Sequence, residues 1–279
     1  MTATTATYID EIYHRLDRRW NALSPVLQYA HRRKFEKILS LIDPNETLLD
    51  IGRGGSVDGV LGVLAATKGA KVTIANAADE YLTSIRRFAR QHGVEDKITF
   101  VKNNPQSGDM FAENSFDTVI SLHVLEHLPN FDEGVKTLRR IFRKRVIVAL
   151  PTCLNPCVWI RFGGQSCYRL SFKSVAALFV GIGMVLRALL GSREGVIENM
   201  TEDSGNKCAH LWRFPWKMRC AFTERGFKIL KFGPDTMCIP WFDCLLPISK
   251  GLDKIGYWPV LRNLGYGSHI VLEKQNKGY

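Results

Sequence analysis

Between residues 47 and 151 the hydrophobic period switches repeatedly between that of a strand and that of a helix, and this alternation restricts the chain to an α/β fold. TLLDIG (47–52) is a short apolar run ending in glycine, and GVLGVLAATKG (59–69) has helical spacing with a glycine stop. KVTIAN (71–76) is rich in β-branched residues and predicts a strand. DEYLTSIRRFARQHG (79–93) predicts an amphipathic helix with an acidic start and Gly93 at its end. KITFVKN (97–103) and SFDTVISLH (115–123) read as the next strands, FDEGVKTLRRIFRK (131–144) as a helix, and RVIVALP (145–151) as a fifth strand closed by proline. Strands separated by single helices imply a mostly parallel, doubly wound, Rossmann-like sheet.

The flanks divide the rest. Residues 1–40 predict an N-terminal helical segment, with IYHRLDRRW and HRRKFEKILSLI as amphipathic stretches, ahead of a core at 41–151. An apolar, helical cap insertion spans 152–209. Residues 210–279 complete the sheet through a helix (RFPWKMRCAFTERGF, 213–227), a strand (FKILKFG, 227–233) and an antiparallel last strand (SHIVLEKQ, 268–275). A second insertion, at 234–267, interrupts that completion.

With 46% hydrophobic and 23% charged residues, the 279-residue chain has the balance of a folded globular protein. Its 7 cysteines are odd in number and scattered, which predicts reduced thiols and a cytoplasmic setting. The N-terminus lacks the apolar stretch of a signal peptide, so secretion is not expected. Cys153, Cys157, Cys208 and His210 lack the pair spacing of a zinc knuckle, so no metal is expected. The net charge of +11 suits a nucleic acid, an anionic membrane face or an anionic substrate. HRRK (31–34) and RRIFRKR (139–145) read as solvated charge, and no dense basic tract with interleaved aromatics points to RNA.

LLDIGRGGSVDG (48–59) has the form of a strand handing over to a nucleotide-cradling loop, whose glycines let backbone approach a ligand. Taken alone it fits several nucleotides. Downstream, FDTVISLHVLEHLPNFDEGVKTLRRIF (116–142), with VLEHLPN (124–130) at its centre, and RVIVALP (145–151) narrow the choice. Together the three stretches resemble class I S-adenosylmethionine-dependent methyltransferases, in the group that includes ubiquinone-biosynthesis O-methyltransferases. The resemblance covers residues 40–151 and the Gly226–Phe227 pattern. It implies S-adenosyl-L-methionine as cofactor, held by Asp50, Gly52, Arg53, Gly54, Asn76, Ala77, Asn104 and Leu122. The sequence departs from the family at four places. Asn76 and Asn104 stand where acids receive the ribose and the adenine, Ser56 replaces a third glycine, and Arg53 fills a position that is usually small. An amide keeps a carbonyl acceptor but loses the charge-assisted hydrogen bond. Asp79 and Glu80 are near enough to compensate, although they read more simply as first-turn helix residues.

His123 and His127 flank VLE beyond the fourth strand, four residues apart, and would share a face if a helical turn forms there. Either is a candidate general base, with His210 a third candidate by resemblance and Glu126 read as structural. NNPQ (103–106) has the wrong strand and no aromatic for an amino-group DNA methyltransferase. PTC (151–153) lacks the companion Pro-Cys of cytosine-C5 enzymes, so Cys153 reads as a core residue. SFKSVAALFVGIGMVLRALLG (171–191) is the most apolar segment, and its uncharged run, 174–186, falls short of the roughly 20 residues that cross a bilayer. It reads as a lid over the crevice or as an interfacial helix flanked by Lys173, Arg187 and Arg193, with WFDCLLPISKGLDKIGYWPVLRNLGYG (241–267) adding a second apolar and basic element. The implied function is methyl transfer to a small-molecule or lipid-like acceptor, at oxygen, with peripheral contact at an anionic inner-membrane surface. RNA methylation, or a methyltransferase fold that has lost catalysis and serves as a partner, are the alternatives.

Overall fold

A computed structural model describes residues 25–52, 59–102, 110–128, 130–201, 207–241 and 245–275. The strands are β1 (Thr47–Ile51), β2 (Lys71–Asn76), β3 (Ile98–Lys102), β4 (Phe116–Leu122), β5 (Phe142–Pro151), β6 (Gly195–Thr201), β7 (Lys207–Arg213), β8 (Phe227–Pro234) and β9 (Gly267–Lys274). The helices are α1 (Pro25–Leu39), α2 (Val60–Thr67), α3 (Asp79–Gln91), α4 (Phe131–Ile141), α5 (Pro156–Phe162), α6 (Phe172–Leu190), α7 (Pro215–Thr223) and α8 (Leu246–Lys254). IYHRLDRRW lies outside the described residues.

Seven strands form one sheet in the order β3-β2-β1-β4-β5-β9-β8, mostly parallel with one antiparallel member. β1 pairs in parallel with β2 and with β4, so Ile51 lies beside Ala75 on one side and Ser121 on the other. The order reverses direction at β1, which brings the C-terminal ends of β2, β1 and β4 together at the switch point of a doubly wound sheet.

The chain forms two compact units. Among the described residues, one comprises His31–Val148 with the residues from Val271 onward, and the other comprises Ala149–Ile270 with Pro25–Ala30. In the first, α3 buries Leu82, Ile85, Phe88 and Ala89 at three- and four-residue spacing. These join Phe35 and Ile38 of α1, Ile74 of β2 and the almost wholly buried α2 in one core. Asn130 caps α4, its Oδ1 accepting from the N–H groups of Asp132 (3.1 Å) and Glu133 (3.3 Å).

The fifth strand starts at Phe142, so Phe142, Arg143 and Lys144 belong to β5 rather than to the preceding helix. Phe142 is fully buried and anchors that start. The basic run ending there is also less solvated than its sequence suggests. Arg145 donates to Glu46 at 2.5 Å and to Asp43 at 3.1 Å, and Arg143 pairs with Asp117 at 3.3 Å. Burial works to raise the Asp117 carboxyl, but hydrogen bonds from Thr47 and the nearby Arg143 and Lys144 hold it below the usual carboxylate range.

The second unit holds an element absent from the sequence reading: an antiparallel ladder of β6 and β7, pairing Gly195 with Arg213 through Thr201 with Lys207. Arg161 of α5 pairs with Glu198 of β6 at 3.1 Å, and the Trp212 indole N–H donates to the same carboxylate at 2.9 Å. Asn155 caps α5 at the Cys157 N–H (2.9 Å) while its amide donates to the carbonyls of Leu264 (2.8 Å) and Cys238 (3.2 Å). One side chain thereby ties the two insertions together.

Candidate active site at the ends of β1, β2 and β4

Asp50 is buried near the end of β1, and its Oδ2 accepts the Gly62 N–H at 2.8 Å across the intervening loop. The carboxylate therefore holds the first turn of α2, where backbone N–H groups have no helical partner. Position 62 is tight: an added Cβ would lie 3.0 Å from Ile74 and 3.1 Å from the Asp50 oxygen, so both side chains would have to give way by a few tenths of an ångström. Gly52 follows with its N–H on the Ala75 carbonyl at 2.9 Å, locking the mouth of β1 to β2. Arg53, Gly54 and Ser56 lie outside the described residues, as does Asn104.

At the end of β2, Asn76 is buried, with its Oδ1 accepting the Ala78 N–H at 3.1 Å. That contact shapes the turn into α3 and engages the carbonyl proposed for the ribose. Ala77 beside it is exposed. Asp79 and Glu80 occupy the first turn of α3, and Asp79 is ion-paired with Lys102 at the end of β3.

Beyond β4, Leu122 is half-buried against the core and His123 takes a left-handed backbone, with φ of 54°. That region is uncommon for a residue with a side chain, and strain of this kind concentrates at functional turns. Leu125–His127 then forms a 3₁₀ turn. His123 lies just before that turn and meets Glu126: His123 Nδ1 and Glu126 Oε1 are 3.1 Å apart. Glu126 is buried, and its Oε2 has no hydrogen-bond partner among the described residues. Burial works to raise its carboxyl, but the hydrogen bond to His123 and the proximity of His123 and His127 hold it below the usual range. An ionised Glu126 can only accept, so it favours the tautomer with the proton on Nδ1 and leaves Nε2 with its lone pair. The three-residue spacing was the sequence signal for this pair; the backbone geometry that makes it was not visible there.

His210 lies in the other unit, buried on β7 opposite Glu198 of β6. Cys153 is fully buried, and burial pushes its thiol up to about 12, which fits a core residue rather than a nucleophile.

The fold and the convergence of three strand ends at a switch point define a class I S-adenosylmethionine-dependent methyltransferase architecture. Residues 49–150 match the family described as a methyltransferase domain. The chain is similar to the ubiquinone biosynthesis O-methyltransferase of Shewanella pealeana, 36% identical over 83 residues, which are 30% of this chain and 33% of that protein. It is also similar to the sterol 24-C-methyltransferase of Pneumocystis carinii, 28% identical over 102 residues, which are 37% of this chain and 26% of that protein. The chain thus spans no more than about a third of the length of these relatives. Among solved structures, an S-adenosylmethionine dependent methyltransferase from Mesorhizobium loti superposes with a TM-score of 0.50 at 11% identity, over 87% of this chain and 97% of that one. That likeness is one of fold.

Proposed function

We propose that this protein is an S-adenosylmethionine-dependent methyltransferase acting on a small, lipid-like acceptor at oxygen. The observation that carries this reading is the His123–Glu126 pair at the mouth of β4, which neighbours β1, where Asp50 holds the first turn of α2. The residues present suit the cofactor. Gly52 offers backbone without a side chain, Ala77 is small and exposed, and Leu122 gives a half-buried apolar wall. Bound there, the cofactor would supply a methyl group on an electrophilic sulfonium. The chain's own contribution is to place the acceptor and to take its proton at His123 Nε2, with Glu126 orienting the ring through Nδ1. Support for a lipid-like acceptor comes from the relative named a sterol 24-C-methyltransferase, and support for oxygen from the relative named a ubiquinone biosynthesis O-methyltransferase.

Calorimetry with S-adenosylmethionine, followed by transfer of labelled methyl groups to lipid and small-molecule extracts with product masses measured, tests this. Binding in the micromolar range and a labelled lipid-like product are expected. His123→Gln should leave cofactor binding intact while lowering turnover by about 10²–10⁴-fold. Absence of binding at millimolar cofactor overturns the activity. It would favour the second reading, a fold serving as a partner, which the engaged Asn76 carbonyl supports.

A further inference from the structure

Helix α6 reverses the usual amphipathic plan. Its buried positions are Ser174, Ala177, Gly181, Val185 and Ala188, mostly small residues recurring every three or four. They let α5 approach so closely that a side chain at Gly181 would collide with the Trp159 carbonyl. The opposite face carries Phe172, Phe179, Leu186 and Leu190, which are 97%, 67%, 52% and 87% exposed. At about 100° per residue these four fall within about 60° of one another, a single stripe facing away from the packed side. An exposed apolar band of this kind marks an interaction surface.

Cations frame the stripe. Arg169 and Lys173 stand at its N-terminal end and Arg187 and Arg193 at the other, all exposed and, among the described residues, in no ion pair. From Gly163 to Arg193 the sequence holds no Asp or Glu.

We propose that α6 is an interfacial helix that docks the protein on an anionic phospholipid bilayer. Phe172, Phe179, Leu186 and Leu190 enter the boundary between headgroups and acyl chains, while the four cations take lipid phosphates. With 19 residues, α6 is long and apolar enough to cross a membrane, which the uncharged run alone did not indicate. It lies in the membrane plane because its packed positions extend from Ser174 to Ala188, and a crossing helix would lose that packing. A second copy of this chain is the poorer occupant. Twofold pairing through the stripe would bring two unpaired cationic frames together with no acid between them.

The proposal goes beyond methyl transfer and its test reads binding alone. Flotation of the full chain is compared on phosphatidylcholine vesicles and on mixed phosphatidylcholine–phosphatidylglycerol vesicles. Flotation is expected with the mixed vesicles only. The double variant Phe179→Ser, Leu186→Ser should weaken it about tenfold or more with an unchanged circular dichroism spectrum, and Arg187→Gln with Arg193→Gln should weaken it and reduce its salt sensitivity. The proposal is overturned by no flotation, by equal binding to neutral vesicles, or by flotation indifferent to the apolar variant. It is equally overturned by a vesicle-free dimer that the apolar variant abolishes, or by association that resists alkaline carbonate as a crossing helix does.

Discussion

Helices α3 and α6 obey the same 3.6-residue period and place opposite contents on their buried faces. α3 turns Leu82, Ile85 and Phe88 into the core of its unit, whereas α6 turns Ser174, Ala177 and Gly181 inward and leaves Phe172, Phe179 and Leu190 outside. In α3, stability comes from removing large apolar surface from water. In α6 it comes from close backbone approach, and the apolar surface remains for another partner. The first helix holds a fold together; the second combines a packed seam with an exposed apolar stripe.

Four changes would break or sharpen this contrast. Phe88→Ala should be the most damaging, because Phe88 is 2% exposed and packs edge-on against His92 at 4.4 Å; a loss of about 3–5 kcal/mol is expected in a urea titration. Gly181→Val should follow, at about 1–3 kcal/mol or more, since the added atoms have no space between α6 and α5. A Gly181→Val protein as stable as the parent would refute close packing as the seam's basis. Glu126→Gln should act mainly through pH. The folded Glu126 carboxyl stays charged to lower pH than an unfolded one, so its contribution is complete above the unfolded value of about 4.3 and is lost as pH falls through the lowered folded value. Melting temperatures measured from pH 7 downward should therefore decline less steeply in the variant. Phe179→Ala should change stability least, within about 0.5 kcal/mol, because the side chain it removes is largely in water. A large loss there would mean that the stripe is packed rather than free.

Much of the first unit was legible because its elements alternate period and end in plain signals. The predicted strand at 71–76 is the observed Lys71–Asn76, and the helix start at Asp79 is also as read. Phe142–Lys144 was misjudged because basic residues suit a helix end as well as a strand start; only the burial of Phe142 decides between them. The β6–β7 ladder escaped because GVIENMT is short and mixes polar with apolar residues, although EDSGN (202–206), ahead of KCAHLWR, carries the turn residues that could have revealed a hairpin. At the site, the strand-end location of Asp50, Gly52 and Asn76 followed from pattern. That the Asp50 carboxylate grips α2, and that the Asn76 carbonyl is taken by its own turn, required coordinates.

The sequence by itself determined the α/β class, the strand order's starting logic and the position of the glycine loop, since these depend on local period and on which residues tolerate tight turns. The tertiary structure alone decided two further matters. It set His123 in a left-handed conformation facing a buried Glu126, because the turn's backbone, and not the spacing of the residues, fixes where their side chains meet. It also decided which of α6's two stripes faces outward, because small and large residues repeat with the same helical period and only the close approach of α5 selects the small ones for the inside.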